Sequence, residues 1–202
     1  MARQKITAGK SFQILFLLLL LVLVISGCKD KESYKKELEK KGIPFTTESF
    51  ISRAGTSNKE IMELFVRAGM DVNVRGSNGE TALMLASVYD NVEALNFLTG
   101  KGADVNAQNN DGYSALMFVA SLGSVNELEL LIKKGADINM QNNKGETSLM
   151  LAALNDKFDA VKLLLDKGAD ANLRNNRGET ALKYAFLNAK IAQLLRKAHG
   201  RK

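Results

Sequence analysis

A period of 33 residues constrains this chain more than any other feature. Four segments open at glycines 33 residues apart: Gly79-Glu-Thr-Ala-Leu-Met-Leu-Ala86, Gly112-Tyr-Ser-Ala-Leu-Met-Phe-Val119, Gly145-Glu-Thr-Ser-Leu-Met-Leu-Ala152 and Gly178-Glu-Thr-Ala-Leu-Lys-Tyr-Ala185. A second series keeps the same interval: Gly69-Met-Asp-Val-Asn73, Gly102-Ala-Asp-Val-Asn106, Gly135-Ala-Asp-Ile-Asn139 and Gly168-Ala-Asp-Ala-Asn172. Two anchors in fixed register mean that one supersecondary unit recurs, and that its apolar face is covered by the next copy.

Residue chemistry within a unit predicts two helices and a hairpin loop. Thr81, Ser114, Thr147 and Thr180 are hydroxyl residues placed to cap a first helix. Leu83, Leu116, Leu149 and Leu182 begin its apolar face, and Ala86, Ala152 and Ala185 allow close packing, with Val119 larger. The second helix shows i, i+3, i+4 spacing in Val125, Leu128, Leu131 and Ile132, and again in Val161, Leu164 and Leu165. Gly102, Gly135 and Gly168 would close that helix in a left-handed cap, and the Asp and Asn after them would fold the loop. This pattern, with its T-x-L-x-x-A-like opening and Gly-Ala-Asp-Val-Asn close, resembles the ankyrin repeat. The resemblance covers residues 45–202 and implies an all-α solenoid of helix-turn-helix units joined by hairpin loops.

The repeats divide as 45–77, 78–110, 111–143, 144–176 and 177–202. The first lacks the Gly-x-Thr-x-Leu opening and reads as an N-terminal cap. The last reaches Ile191-Ala-Gln-Leu-Leu195 two residues early, which predicts a shortened turn before a basic tail. The family usually has Pro after the Thr and His after the Leu. Here Ala or Ser replaces that Pro, and Met84, Met117, Met150 and Lys183 replace that His, so the imidazole ties between units are missing. A methionine row at helix–helix separations of about 8–10 Å fits buried packing better than metal binding.

Composition removes most catalytic readings. One cysteine, Cys28, and one histidine, His199, leave no intrachain disulfide, no cysteine-based zinc site and no Ser-His-Asp arrangement. Asp104-Val-Asn106 and Asp137-Ile-Asn139 imitate the start of a calcium loop, but Ala115 and Ser148 stand where the bidentate Glu is needed. Asp71, Asp104, Asp137 and Asp170 recur one per repeat, too far apart for paired-acid catalysis and each with a turn role. The net charge of +6 is concentrated at the start, because residues 45–202 hold 19 basic and 18 acidic side chains. That argues against nucleic acid as a partner. No cofactor, metal or small-molecule substrate is expected, and the chain reads as a monomer and not an enzyme.

The N-terminus carries Arg3, Lys5 and Lys10, then twelve unbroken apolar residues from Ile14 to Ile25, too short for a membrane span. Ile25-Ser26-Gly27-Cys28 follows and resembles the bacterial lipobox. The resemblance implies removal of residues 1–27 as a signal peptide and lipidation of Cys28, the acyl groups then anchoring the protein to a membrane without spanning it. Lys29, in place of Asp, favours sorting to an outer membrane facing the periplasm, or to the outer face of the cell membrane where there is only one. Residues 28–44 then read as the lipidated Cys and a charged, solvated tether, its helix supported by Glu32 with Lys36 and Glu37 with Lys41.

By the same resemblance, the array recognises another protein with its hairpin tips and the concave face of its first helices. Arg75, Asn78, Glu80, Gln108, Gln141 and Arg174 fall on tip positions. The candidate partner-binding set is Tyr89, Asn110, Tyr113, Leu122, Asn143, Glu146, Asn155, Arg177 and Glu179, centred on the tyrosines and Leu122. The expected function is a scaffold or adaptor in the cell envelope, and the alternative is an immunity or inhibitor protein that blocks one envelope enzyme or toxin.

Overall fold

Short polar side chains start all but one of the described helices. In the computed structural model, which describes residues 29–56, 58–186 and 188–199, eleven helices follow one another. They are α1 (Lys31–Lys40), α2 (Thr47–Ala54), α3 (Lys59–Arg67), α4 (Ala82–Val88), α5 (Val92–Gly100), α6 (Ala115–Leu122), α7 (Val125–Lys133), α8 (Ser148–Leu154), α9 (Phe158–Asp166), α10 (Ala181–Tyr184) and α11 (Ala189–Ala198). Thr81 and Thr147 accept from the backbone N–H of Met84 and Met150 at 3.3 Å, capping α4 and α8. Ser114 and Thr180 occupy the same N-cap position without that bond. Asn58 and Asn91 cap α3 and α5 in the same way. Gly69, Gly102, Gly135 and Gly168, all at φ between 85° and 97°, end the second helices in the left-handed region.

The helices stack in two layers. The first helices α2, α4, α6, α8 and α10 pack in sequence against one another, and α3, α5, α7, α9 and α11 pack behind them. Leu83, Leu116 and Leu149 are buried between the layers with Leu95, Leu98, Leu128, Leu131 and Leu164. Met84, Met117 and Met150 are at most 2% exposed, so the methionine row is packing. The last first-layer helix is only four residues long.

The N-terminal stretch differs from the free tether expected of it. Helix α1 packs on α3 and extends the second layer by one helix, with Leu38 fully buried and Ile43 nearly so. The spacing that supports a helix was visible, but the buried side chains Leu38 and Ile43 sit too far apart in a lysine-rich run to stand out. Arg67 crosses the seam by donating to the Tyr34 hydroxyl at 3.3 Å, while Lys29 Nζ lies 2.8 Å from Glu37 on the α1 side and Arg67 2.7 Å from Glu63 within α3. The expected partners of Glu32 and Glu37 are exchanged, since Glu32 meets Lys35 and Glu37 meets Lys29. Residues 1–28, including Cys28 and the apolar run, lie outside the described residues. No described helix is long and apolar enough to cross a membrane.

Leu38→Ala therefore behaves as a core substitution, costing about 2–5 kcal/mol as burial of a leucine in a packed site dictates. Chemical denaturation measures it. A solvated spacer would show no change.

Candidate protein-recognition surface

Three of the four hairpin turns are built by one asparagine facing inward. Asn142 is buried; its Oδ1 accepts from the N–H of Lys144 and Glu146 at 2.9 and 2.8 Å, and its Nδ2 donates to the Glu146 carboxylate at 2.9 Å. Asn175 repeats all of this with Arg177 and Glu179, and Asn109 Oδ1 accepts in the same way from the N–H groups of Asp111 and Tyr113. In the first hairpin Gly76 holds that position, and the Glu80 carboxylate folds over it to accept from the Asn78 N–H at 2.8 Å.

The next residue ties repeat to repeat. Asn110 Nδ2 donates to the Ser77 carbonyl, Asn143 Nδ2 to that of Asn110 and Asn176 Nδ2 to that of Asn143, at 3.3, 2.8 and 2.9 Å. Their backbone N–H groups reach Asn78, Asp111 and Lys144. Gln108 and Gln141 continue the ladder to the carbonyls of Gln141 and Arg174 at 2.9 Å, and Arg75 donates to the carbonyl of Gln108. Gly145 shows how tightly the rows fit: at φ 75°, a Cβ there would lie 2.6 Å from Asn176 Oδ1.

This geometry corrects several expected contacts. Glu146 is not an exposed tip residue; it is 8% exposed and accepts from Asn142 and from the Tyr184 hydroxyl, at 3.3 Å in the latter case. Burial pushes that hydroxyl's pKa up and keeps it a neutral donor. Asn110 and Asn143 are exposed at their edges, but their amide groups are committed to the ladder. Glu179 is half-buried and holds Asn175. Tyr113 is also half-buried, its ring stacked on Phe118 at 5.6 Å between centroids, so its body is partly spent on its own repeat. Arg177 is exposed as expected. So are Asp111 and Lys144, which sit 33 residues apart in Arg177's own register, the signal by which they could have been found.

A second row lies at the C-terminal ends of the first helices. Val88, Tyr89, Leu122 and Leu154 are 41%, 63%, 45% and 48% exposed. Because α4, α6 and α8 stack side by side, these residues form one line rather than scattered apolar points. Asn155 is exposed beside them and bridges neighbouring helix ends by donating to Ser121 Oγ at 3.1 Å. Tyr89 lays one edge of its ring on Gly55, where a Cβ would meet it at 2.6 Å, which fixes its direction. Sequence reading placed Tyr89 and Leu122 here and missed Val88 and Leu154, which sit one residue earlier on their helices. Behind the row, Glu127 of α7 is buried; burial first, and then the neighbouring Asp90 carboxylate, raise its pKa above the ordinary glutamate value. Among the described residues, no group of three or more acidic, histidine or cysteine side chains could hold a metal.

Three matches to the model for ankyrin repeats cover residues 35–109, 94–175 and 116–202. The chain belongs to the ankyrin-repeat family. Ankyrin repeats indicate a protein–protein interaction module, and proteins built from them are generally non-catalytic binders. The match begins inside α1, in keeping with that helix being part of the array. No characterised protein matches the chain in sequence.

Asn143→Ala removes one rung and lowers stability by about 0.5–1.5 kcal/mol, the net worth of a hydrogen bond, whereas Lys144→Ala one residue away leaves the melting temperature unchanged. Glu127 is an acid with a raised folded pKa, so the folded state binds its proton more tightly than the unfolded chain. Stability from this group is full below the ordinary glutamate pKa and is lost as pH rises through the raised value. Glu127→Gln should therefore stabilise the fold at neutral pH and flatten the stability–pH curve above the ordinary glutamate range. Melts at stepped pH test this.

Proposed function

We propose that this chain is a non-catalytic recognition array held on a bacterial membrane by a lipid at Cys28, where it acts as a scaffold or adaptor in the cell envelope. The observation that carries the recognition surface is the apolar line of Val88, Tyr89, Leu122 and Leu154 beside polar hairpin turns. An exposed apolar strip rimmed by polar groups is what a protein partner covers. Tyr89 is the anchor of that strip. It is large, directed by its contact with Gly55, and largely free. Asp111, Lys144 and Arg177 at the tips supply charges of both signs, which select a partner more than they strengthen its binding.

The anchor rests on the basic start, the twelve-residue apolar run and Ile25-Ser-Gly-Cys28. Packing of α1 changes what such an anchor would do. Only Lys29 and Asp30 separate Cys28 from the first helix, and Lys29 is itself paired with Glu37. A lipidated Cys28 would then hold the first repeat at the bilayer surface instead of letting the array swing on a long tether.

Crosslinking in intact cells, with mass spectrometry of what is captured, identifies the partner. Titration of that partner should then weaken at least fivefold with Tyr89→Ala, about 1 kcal/mol, while the melting temperature stays close to that of the parent. Equal binding by the variant would move the interface elsewhere. Separately, Cys28→Ser should leave the chain unprocessed or free of the membrane fraction. A mature N-terminus at any residue other than Cys28 would refute the lipid anchor and leave the recognition surface untouched.

A further inference from the structure

The last repeat breaks the pattern at two positions that face the end of the stack. In the three repeats before it, one first-helix position is Met84, Met117 and Met150, at most 2% exposed, and three residues on is Ser87, Ala120 and Ala153, at most 3% exposed. The last repeat has Lys183 and Phe186 there, and Phe186 is 74% exposed, the most open of the large apolar side chains among the described residues. A small residue is what lets a neighbouring repeat pack closely, and a phenylalanine and a lysine in its place would block a further unit of the same kind. This end face is not built to continue the array.

Between α10 and α11 the same face holds a groove of about 460 Å³, lined only by residues of the last repeat. Its floor is apolar, from Leu182, Ala185 and Ala192, with Phe186 at one side and Lys183 and Arg196 among its walls. None of its lining residues is acidic, and the ion pairs among the described residues all lie at the other end of the molecule. The charge is segregated in the sequence too. Residues 180–202 hold six Lys/Arg and no Asp or Glu, whereas residues 45–179 hold 13 basic against 18 acidic.

We propose that this groove is a second docking site, independent of the first-helix row, and that its occupant is a short protein segment carrying an apolar side chain next to carboxylates. The apolar residue covers Phe186 and the alanine floor, and the carboxylates meet Lys183 and Arg196, Arg196 offering a bidentate fork. A long polyanion fits less well, because it would run on along the acidic remainder of the array, which repels it, whereas a short segment touches only the basic end.

Selection of a random twelve-residue phage-displayed library against the full chain in detergent micelles tests this. Enriched sequences should combine acidic with apolar residues. Their binding should fall at least fivefold with Phe186→Ser and with the pair Lys183→Gln and Arg196→Gln, weaken with added salt, and be unmoved by Tyr89→Ala. Because Phe186 is exposed, Phe186→Ser should melt with the parent, which separates lost binding from lost fold. Four results would overturn the proposal: no enrichment, enrichment without carboxylates, equal binding to Phe186→Ser, or displacement of the peptides by micelles doped with phosphatidylglycerol. So would self-association in sedimentation that Phe186→Ser abolishes, since a second copy would then be the occupant.

Discussion

Stacked hairpins leave backbone carbonyls at their turns, and in this molecule neighbouring repeats meet them from both sides, with asparagine amides of the following repeat and with glutamine amides and one guanidinium of the preceding one. Ser77, Asn110 and Asn143 present carbonyls to Asn110, Asn143 and Asn176, so that one residue type both receives the bond from the next repeat and gives one to the last. A parallel ladder runs where the second helices end. Asn73, Asn106 and Asn139 accept from the N–H of Asp104, Asp137 and Asp170, and Asn73 and Asn106 also donate to the carbonyls of Gly102 and Gly135. An unpaired backbone group costs more than a made bond gains, so these rungs set the spacing and register on which the leucine core is packed. Each repeat is positioned by its neighbour as well as by its own apolar face.

The ladder also accounts for how the array does without the histidine usual in its family. Methionine at that position contributes packing and no hydrogen bond, and the three methionines are buried accordingly. Register must then come from elsewhere, and the asparagine and glutamine rows supply it at both edges of the stack. Asn91 adds a third kind of tie, donating to the carbonyls of Ala54 and Thr56 at 3.0 and 2.8 Å and so joining α5 to the end of α2.

Repetition made the interior of this fold legible and the ends opaque. Gly79 to Gly178 and Gly69 to Gly168 place every internal helix, because the same physical need recurs in each unit and shows as identity at a fixed interval. Helix α1 has no copy in the sequence, and the buried residues that seat it, Leu38 within the helix and Ile43 three residues past its end, stand in and just after a run of lysines and glutamates. A lysine-rich run looks solvated unless the groove that receives it is known. The same limit applies to the recognition residues. Asn143 and Lys144 are neighbouring polar residues on an exposed turn, and only the carbonyl of Asn110 at 2.8 Å separates the structural one from the free one. Glu146 was misplaced for the opposite reason, since the side chains that bury it, Asn142 and Tyr184, come from its own turn and from a helix 38 residues on.

Structural and recognition roles alternate along each hairpin, and that alternation explains what the surface is able to vary. In the turn of residues 142–146, Asn142 folds the loop, Asn143 binds the previous repeat, Gly145 lets Asn176 approach, and Glu146 joins the core. Only the side chain of Lys144 is left without such a task. Its counterparts Asn78, Asp111 and Arg177 differ from it and from one another in size and charge, as the absence of a shared structural duty allows. The same holds at the first-helix ends, where Tyr89, Leu122 and Asn155 share a position and no chemistry. Within one chain, the positions that the fold demands repeat themselves, and those free to meet a partner do not. At Lys183 and Phe186 that rule is crossed, because a position held by methionine and one held by a small residue in the three repeats before change together once no further repeat follows among the described residues.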